Sequence, residues 1–118
     1  MSSSEQAAAP GRKLAHPARE EIRLEAVLHA LADRVRLRIV CELADGHTDM
    51  ACMTFGLPVS KSTSTHHFRV LREAGVIRQH YEGTSRMNRL RSDDLEVLFP
   101  GLLRAVLRAQ RQSAPATP

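Results

Sequence analysis

At Gly75 the spacing of apolar residues changes period, and no other feature limits the fold so tightly. Before it, "KSTSTHHFRVLREA" reads as one helix. At 100° per residue, Ser64, His67 or Phe68, Leu71 and Gly75 gather on one side, with Val70 beside them. After it, "VIRQHY" and "SRMNRL" flank "EGT", a hairpin in which Gly83 supplies the positive φ. A helix feeding straight into a hairpin leaves few architectures open.

The flanking segments narrow them further. Leu24, Val27, Leu28, Leu31 and Val35 keep helical spacing, so "EEIRLEAVLHALA" is a first helix. Asp33 caps a second, "RVRLRIVCELADG", with Leu37, Val40, Cys41 and Ala44 as its buried stripe and Gly46 as its stop. Thr48 or Asp49 caps a short third helix, "MACMTF", ended by Gly56, and Pro58 bars continuation until Ser60 caps the next. Ser92, with Asp93 and Asp94 in the first turn, opens a last helix that Pro100 must kink or restart. The predicted class is mainly α with a small β-hairpin, in the order α-α-α-α-β-β-α: a winged helix-turn-helix. It occupies residues 19–112, between disordered tails at 1–18 and 113–118 that lack any periodicity to bury.

The hydroxyl-rich opening of the fourth helix raises the question of function. Ser60, Ser62, Thr63, Ser64 and Thr65 surround Lys61, and the paired His66 and His67 follow. Lys61, Ser62, Thr65, His66, Arg69 and Arg72 or Glu73 fall opposite the apolar side. Such groups suit the major groove of DNA: Lys and Arg bond guanine or phosphate, while Ser and Thr serve base edges or phosphate. Candidate DNA-binding residues are therefore Lys61, Ser62, Thr63, Thr65, His66 and Arg69, with Thr84, Ser85 and Arg86 at the hairpin tip.

Charge agrees. The chain carries +4 overall, yet residues 60–91 alone hold seven Lys or Arg against Glu73 and Glu82. A basic block over the same stretch is an anion footprint. With no Trp and one Tyr, base stacking on aromatic platforms is disfavoured. No nucleophile with an orienting base and no pocket-like carboxylate pair speaks for catalysis. Two cysteines suit a reducing compartment, and no apolar run reaches membrane-spanning length, so a cytoplasmic protein without membrane contact is expected.

Three stretches, "LADRVRLRIVCELADG", "KSTSTHHFRVLREAGVI" and "YEGTSRMNRL", resemble the arsenic-repressor (ArsR/SmtB) family of bacterial winged-helix regulators, over roughly residues 22–110. "STHHFRVLREAG" is the most specific block. The turn "GLPVS" is longer than the family's compact "GLS". The resemblance implies a homodimeric repressor that binds an operator in double-stranded DNA and leaves it when an effector, unknown here, arrives. It also implies that the first and last helices form the dimer interface. That interface would comprise Leu24, Val27 and Leu28 with Leu95, Leu98, Phe99, Leu102, Leu103 and Val106. The stripe from Leu95 to Leu107 looks too wide for one small domain to cover.

Metal-sensing members carry Cys-x-Cys before the turn, or Asp-x-His with His-x-x-Glu on the last helix. Here the first positions fall near His47 and Asp49, with Cys52 one turn on, and the last helix has no histidine. Adjacent His66 and His67 diverge by 100° on a helix. No metal and no cofactor are expected; His66 should face DNA, and His67 should turn inward and hydrogen-bond. Cys41 reads as a small buried hydrophobe. The alternative function is a winged-helix interaction module whose basic face binds an acidic protein.

Overall fold

Asp33 starts the second helix as its spacing predicts. Its Oδ2 accepts the backbone N–H groups of Val35 and Arg36 at 2.9 and 3.0 Å, satisfying two donors that the first turn would otherwise leave open. The structure, a computed structural model, describes residues 14–46, 50–51 and 59–113. A 3₁₀ turn at Arg19–Glu21 leads to α1 (Leu24–Leu31) and α2 (Arg34–Gly46). A two-residue strand, β1 (Met50–Ala51), precedes α3 (Lys61–Ala74), β2 (Ile77–Glu82), β3 (Ser85–Leu90), α4 (Ser92–Leu98) and α5 (Leu102–Ser113). The predicted class holds: a mostly helical body carrying an antiparallel hairpin.

Two details differ. The first predicted helix breaks at Ile22–Arg23, so only its second half is α1. In the segment predicted as a third helix, Met50 and Ala51 are extended and pair with β3, Met50 opposite Asn88 and Ala51 opposite Met87. A single turn of helix is costly to nucleate, whereas β3 offers an edge of ready backbone partners. The rest of that segment, with its caps, lies outside the described residues, as do Cys52, His47 and Asp49. The sheet order is β1-β3-β2, so β2 is an edge.

Aliphatic side chains fill the core as the scarcity of aromatics requires. Val27, Ala30 and Leu31 of α1 meet Ile39, Val40 and Leu43 of α2, Phe68 and Leu71 of α3, and Val76 and Ile77 at the hairpin's start. Leu95 and Leu107 close it from α4 and α5. Pro100 does force a restart: Phe99 N–H still bonds Leu95 O at 2.8 Å, then Gly101 takes φ 83° and α5 begins at Leu102.

Residues 14–18, within the stretch whose composition suggests a disordered tail, are among the described residues. Residues 16–22 form a strap: His16 meets β2, the Pro17 carbonyl accepts from Arg91 at 2.8 Å, and Arg19 pairs with Asp94 at 2.9 Å. Ile22 then enters the core beneath Gly75. Residues 114–118, most of the expected C-terminal tail, lie outside the described residues. No helix of the described residues is long and apolar enough to cross a membrane.

Candidate nucleic-acid interface

Helix α3 divides its residues as the projection requires. His67, Phe68, Leu71 and Ala74 are buried, while Lys61, Ser62, Thr63, Thr65, His66 and Arg69 are exposed. The opening hydroxyls partly serve the helix itself. Ser60 Oγ accepts Thr63 N–H at 3.2 Å and donates to Thr63 Oγ1 at 2.9 Å. Thr65 Oγ1 donates to the Lys61 carbonyl at 3.0 Å, which leaves the exposed hydroxyl free to act as an acceptor. The other end closes on Gly75, whose φ of 90° lets its N–H reach Arg72 O and Val76 N–H reach Leu71 O, both at 3.0 Å.

His67 turns inward, and the reason is Arg36. That buried arginine donates from Nε to Ala30 O at 2.7 Å and from Nη2 to His29 O at 3.3 Å, and its Nη1 lies 3.1 Å from His67 Nδ1. The imidazole must accept there, so it is neutral with its proton on Nε2. Burial pushes its pKa down; Asp33, 3.8 Å away, pulls up, and the Arg36 charge pushes down again. Asp33 is lowered: burial works against it, but the N–H bonds and charge of Arg36 prevail.

The hairpin stands beside α3. Its six ladder pairs run from Ile77–Leu90 to Glu82–Ser85, so the loop is Gly83-Thr84, with Gly83 at φ 64°. Thr84 and Ser85 are exposed at the tip. Arg86 is half-buried: it lies 5.2 Å from the centre of the Tyr81 ring and donates to the Tyr81 hydroxyl, a cross-strand clasp at the wing's flank rather than a free cation at its tip.

Not every cation of the basic block faces solvent. Arg91 is 5 % exposed and is held by Asp94 through Nε and Nη2, both at 2.9 Å. Arg72 leaves the outer face and donates to Gln79 Oε1 at 2.7 Å, and Gln79 Nε2 donates to Asn88 Oδ1 at 2.7 Å. Arg78 is exposed but lies 3.9 Å from Asp94. Lys61 and Arg69 remain exposed and, among the described residues, form no ion pair. The buried polar pair Gln79–Asn88 was legible once the loop was placed, since both are polar residues directly opposed in the hairpin.

The residues expected at a dimer interface separate into three groups. Val27 and Leu95, at 1 % and 2 % exposure, are sealed within the protomer's own core and cannot face a mate. Leu98, Phe99, Leu102, Leu103 and Val106 are half-buried against that core. Leu24 and Leu28 are 43 % and 45 % exposed, and Val97, not expected there, is 58 % exposed. Leu28, Leu31, Leu37 and Val106 line a groove of about 290 Å³ between α1, α2 and α5. Cys41 is half-buried on α2, and burial raises its thiol pKa.

Residues 27–79 match the profile of bacterial regulatory proteins of the arsR family. An uncharacterized HTH-type transcriptional regulator, YceK of Bacillus subtilis (strain 168), is 30% identical over 86 residues, 71% of this chain and 85% of that protein. Among solved structures, the transcriptional repressor BigR from Xylella fastidiosa superposes with a TM-score of 0.59 at 18% identity, covering 79% of this chain and 88% of that one. The homodimeric winged helix-turn-helix DNA-binding domain of Mb0332 from Mycobacterium bovis gives 0.59 at 23% identity, covering 80% and 87%.

Proposed function

This chain belongs to the arsR family of bacterial regulatory proteins, and on that premise we propose that it is a homodimeric repressor that binds a specific operator and is released by an effector. One observation carries the reading. On α3 the exposed face offers Lys61, Ser62, Thr65, His66 and Arg69, while His67, Phe68 and Leu71 fix the opposite face to the body. The side chains of the first two turns are mostly small, which lets the backbone approach base edges closely. The helix N-terminus adds partial positive charge for a phosphate. Thr84 and Ser85 would meet the neighbouring backbone from the wing, with Arg86 beside them.

A homodimer fits the exposed Leu24 and Leu28 and the groove above α5, and the Mycobacterium relative is described as homodimeric. Repression follows from placing such a dimer across a promoter. Anisotropy titration of the gene's own upstream region against random duplex tests the reading. Preference for the former, and affinity that falls steeply between about 50 and 200 mM salt, are expected. Equal, salt-insensitive binding to both would refute operator recognition.

A further inference from the structure

His16 holds the wing at its outer edge, in a place that operator reading leaves unexplained. In the order β1-β3-β2 the strand β2 is an edge, and among the described residues no further strand pairs with its far side. His16 Nε2 accepts the backbone N–H of Gln79 there, at 2.9 Å. The next residue's carbonyl is held by Arg91, and Arg19 by Asp94, so the strap ties the wing edge to the start of α4. Gln79 is also where the inner contacts meet. Its side chain takes Arg72 of α3 on one side and Asn88 of β3 on the other, and it is 2 % exposed. One residue thus joins the strap through its backbone and the recognition helix through its side chain.

We propose that His16 is a positioning residue for DNA binding: as a neutral acceptor it clamps β2 at Gln79 and so fixes the angle between the wing and α3. This rests on the reading that α3 and the wing together meet DNA. The clamp has a chemical requirement. Nε2 can accept only while it carries no proton; a proton there would set one N–H against another. The surroundings favour the neutral ring. Burial lowers the pKa of His16, a backbone hydrogen bond to Leu14 raises it, and the charges of Arg78 on β2, Arg72 on α3 and Arg91 after β3 lower it again. Asp94, the carboxylate at this edge, is engaged by Arg19, Arg78 and Arg91. A histidine lowered in the folded state contributes its full stabilisation above its unfolded pKa. It loses that contribution as pH falls through the folded one. Acidification to below the ordinary histidine value of about 6.5 therefore breaks the His16–Gln79 contact, while Arg91 and Arg19 still hold the strap to the start of α4.

The test uses the full chain as wild type, His16→Ala and His16→Gln. Two quantities are read from about pH 5.5 to 7.5: the Gln79 amide protection factor by NMR, and affinity for mixed-sequence duplex DNA at low salt. Glutamine can present an oxygen where Nε2 sits and does not titrate. His16→Ala should lower both protection and affinity by roughly fivefold, the weight of one hydrogen bond, and His16→Gln should restore both. Wild type should lose both on acidification relative to His16→Gln. Charge alone would act the other way, since a protonated histidine attracts phosphate. Unchanged Gln79 protection in His16→Ala overturns the clamp; lost protection with unchanged affinity overturns its role in DNA binding. If no form binds any DNA, the functional reading fails and takes the positioning role with it, whatever the Gln79 amide shows.

Discussion

Gly75 meets two constraints at once, and they can be separated. Its φ of 90° closes α3, and a Cβ added there would stand 2.5 Å from Ile22 Cγ1. Gly75→Ala should therefore cost more than the left-handed conformation alone, about 1–2 kcal/mol, because Ile22 must also move. Denaturant unfolding of wild type, Gly75→Ala, Ile22→Ala and Gly75→Ala/Ile22→Ala reads the difference: non-additivity marks the clash, and strict additivity would deny it. His67 makes a second residue-scale prediction. Its pKa is lowered by burial, so the folded chain binds fewer protons than the unfolded one, and stability falls as pH drops below about 6.5. Glutamine at this position can accept from Arg36 without titrating. His67→Gln should thus show a shallower decline in unfolding midpoint between about pH 7.5 and 5.5; identical slopes would remove His67 from the acid response.

At the scale of elements, α3 and the wing should fail differently when altered. Thr65→Ala or His66→Ala should narrow discrimination between operator and random duplex, by about 1–3 kcal/mol for a true base contact. Arg86 is clasped to Tyr81, so Arg86→Ala removes a flank charge and a support of the wing together. It should weaken all duplexes alike and make the salt slope shallower by about one unit if the guanidinium also reaches a phosphate. Phe68, fully buried, is the control: Phe68→Ala should cost about 3–5 kcal/mol of stability and lose binding only as a consequence. Operator affinity indifferent to Thr65, His66 and Arg69 together would remove α3 as the reader. These elements are legible in sequence because their signals are local. Asp33, Ser60, Gly75 and Gly83 each satisfy or bend the backbone within a few residues, and the apolar period does the rest. Met50–Ala51 is not legible as a strand, because what extends it is the distant edge of β3. Arg91, counted in the basic block, is not legible as buried for the same reason: the Pro17 carbonyl that receives it lies 74 positions away. The strap contacts of His16, Pro17 and Arg19, inside or beside a stretch of tail-like composition, are the extreme case, since their partners are 63, 74 and 75 positions away.

For the whole molecule, the apolar surface left on one protomer decides what a mate can cover. Leu95 and Val27 serve the protomer's own core, so the exposed seam runs along Leu24 and Leu28 and into the groove beside Val106. Leu102 and Val106 pack against that core too, and charging them would confuse misfolding with dissociation. Leu24→Glu/Leu28→Glu is the cleaner probe: both side chains are nearly half exposed, and neither lies in the buried cluster. At micromolar concentration the wild type should scatter light as a dimer and the variant as a folded monomer with unchanged helix content. A two-fold pair also constrains the DNA. Such a pair would set its two α3 helices against half-sites one helical turn apart, about 34–36 Å, so an operator lengthened by about 5 bp would rotate one half-site to the far side of the duplex. Wild type should then bind the altered operator no better than the monomeric variant binds the original. A wild-type monomer by light scattering would sink the dimer. A dimer insensitive to the inserted half-turn would instead show that its two recognition helices do not read one duplex together.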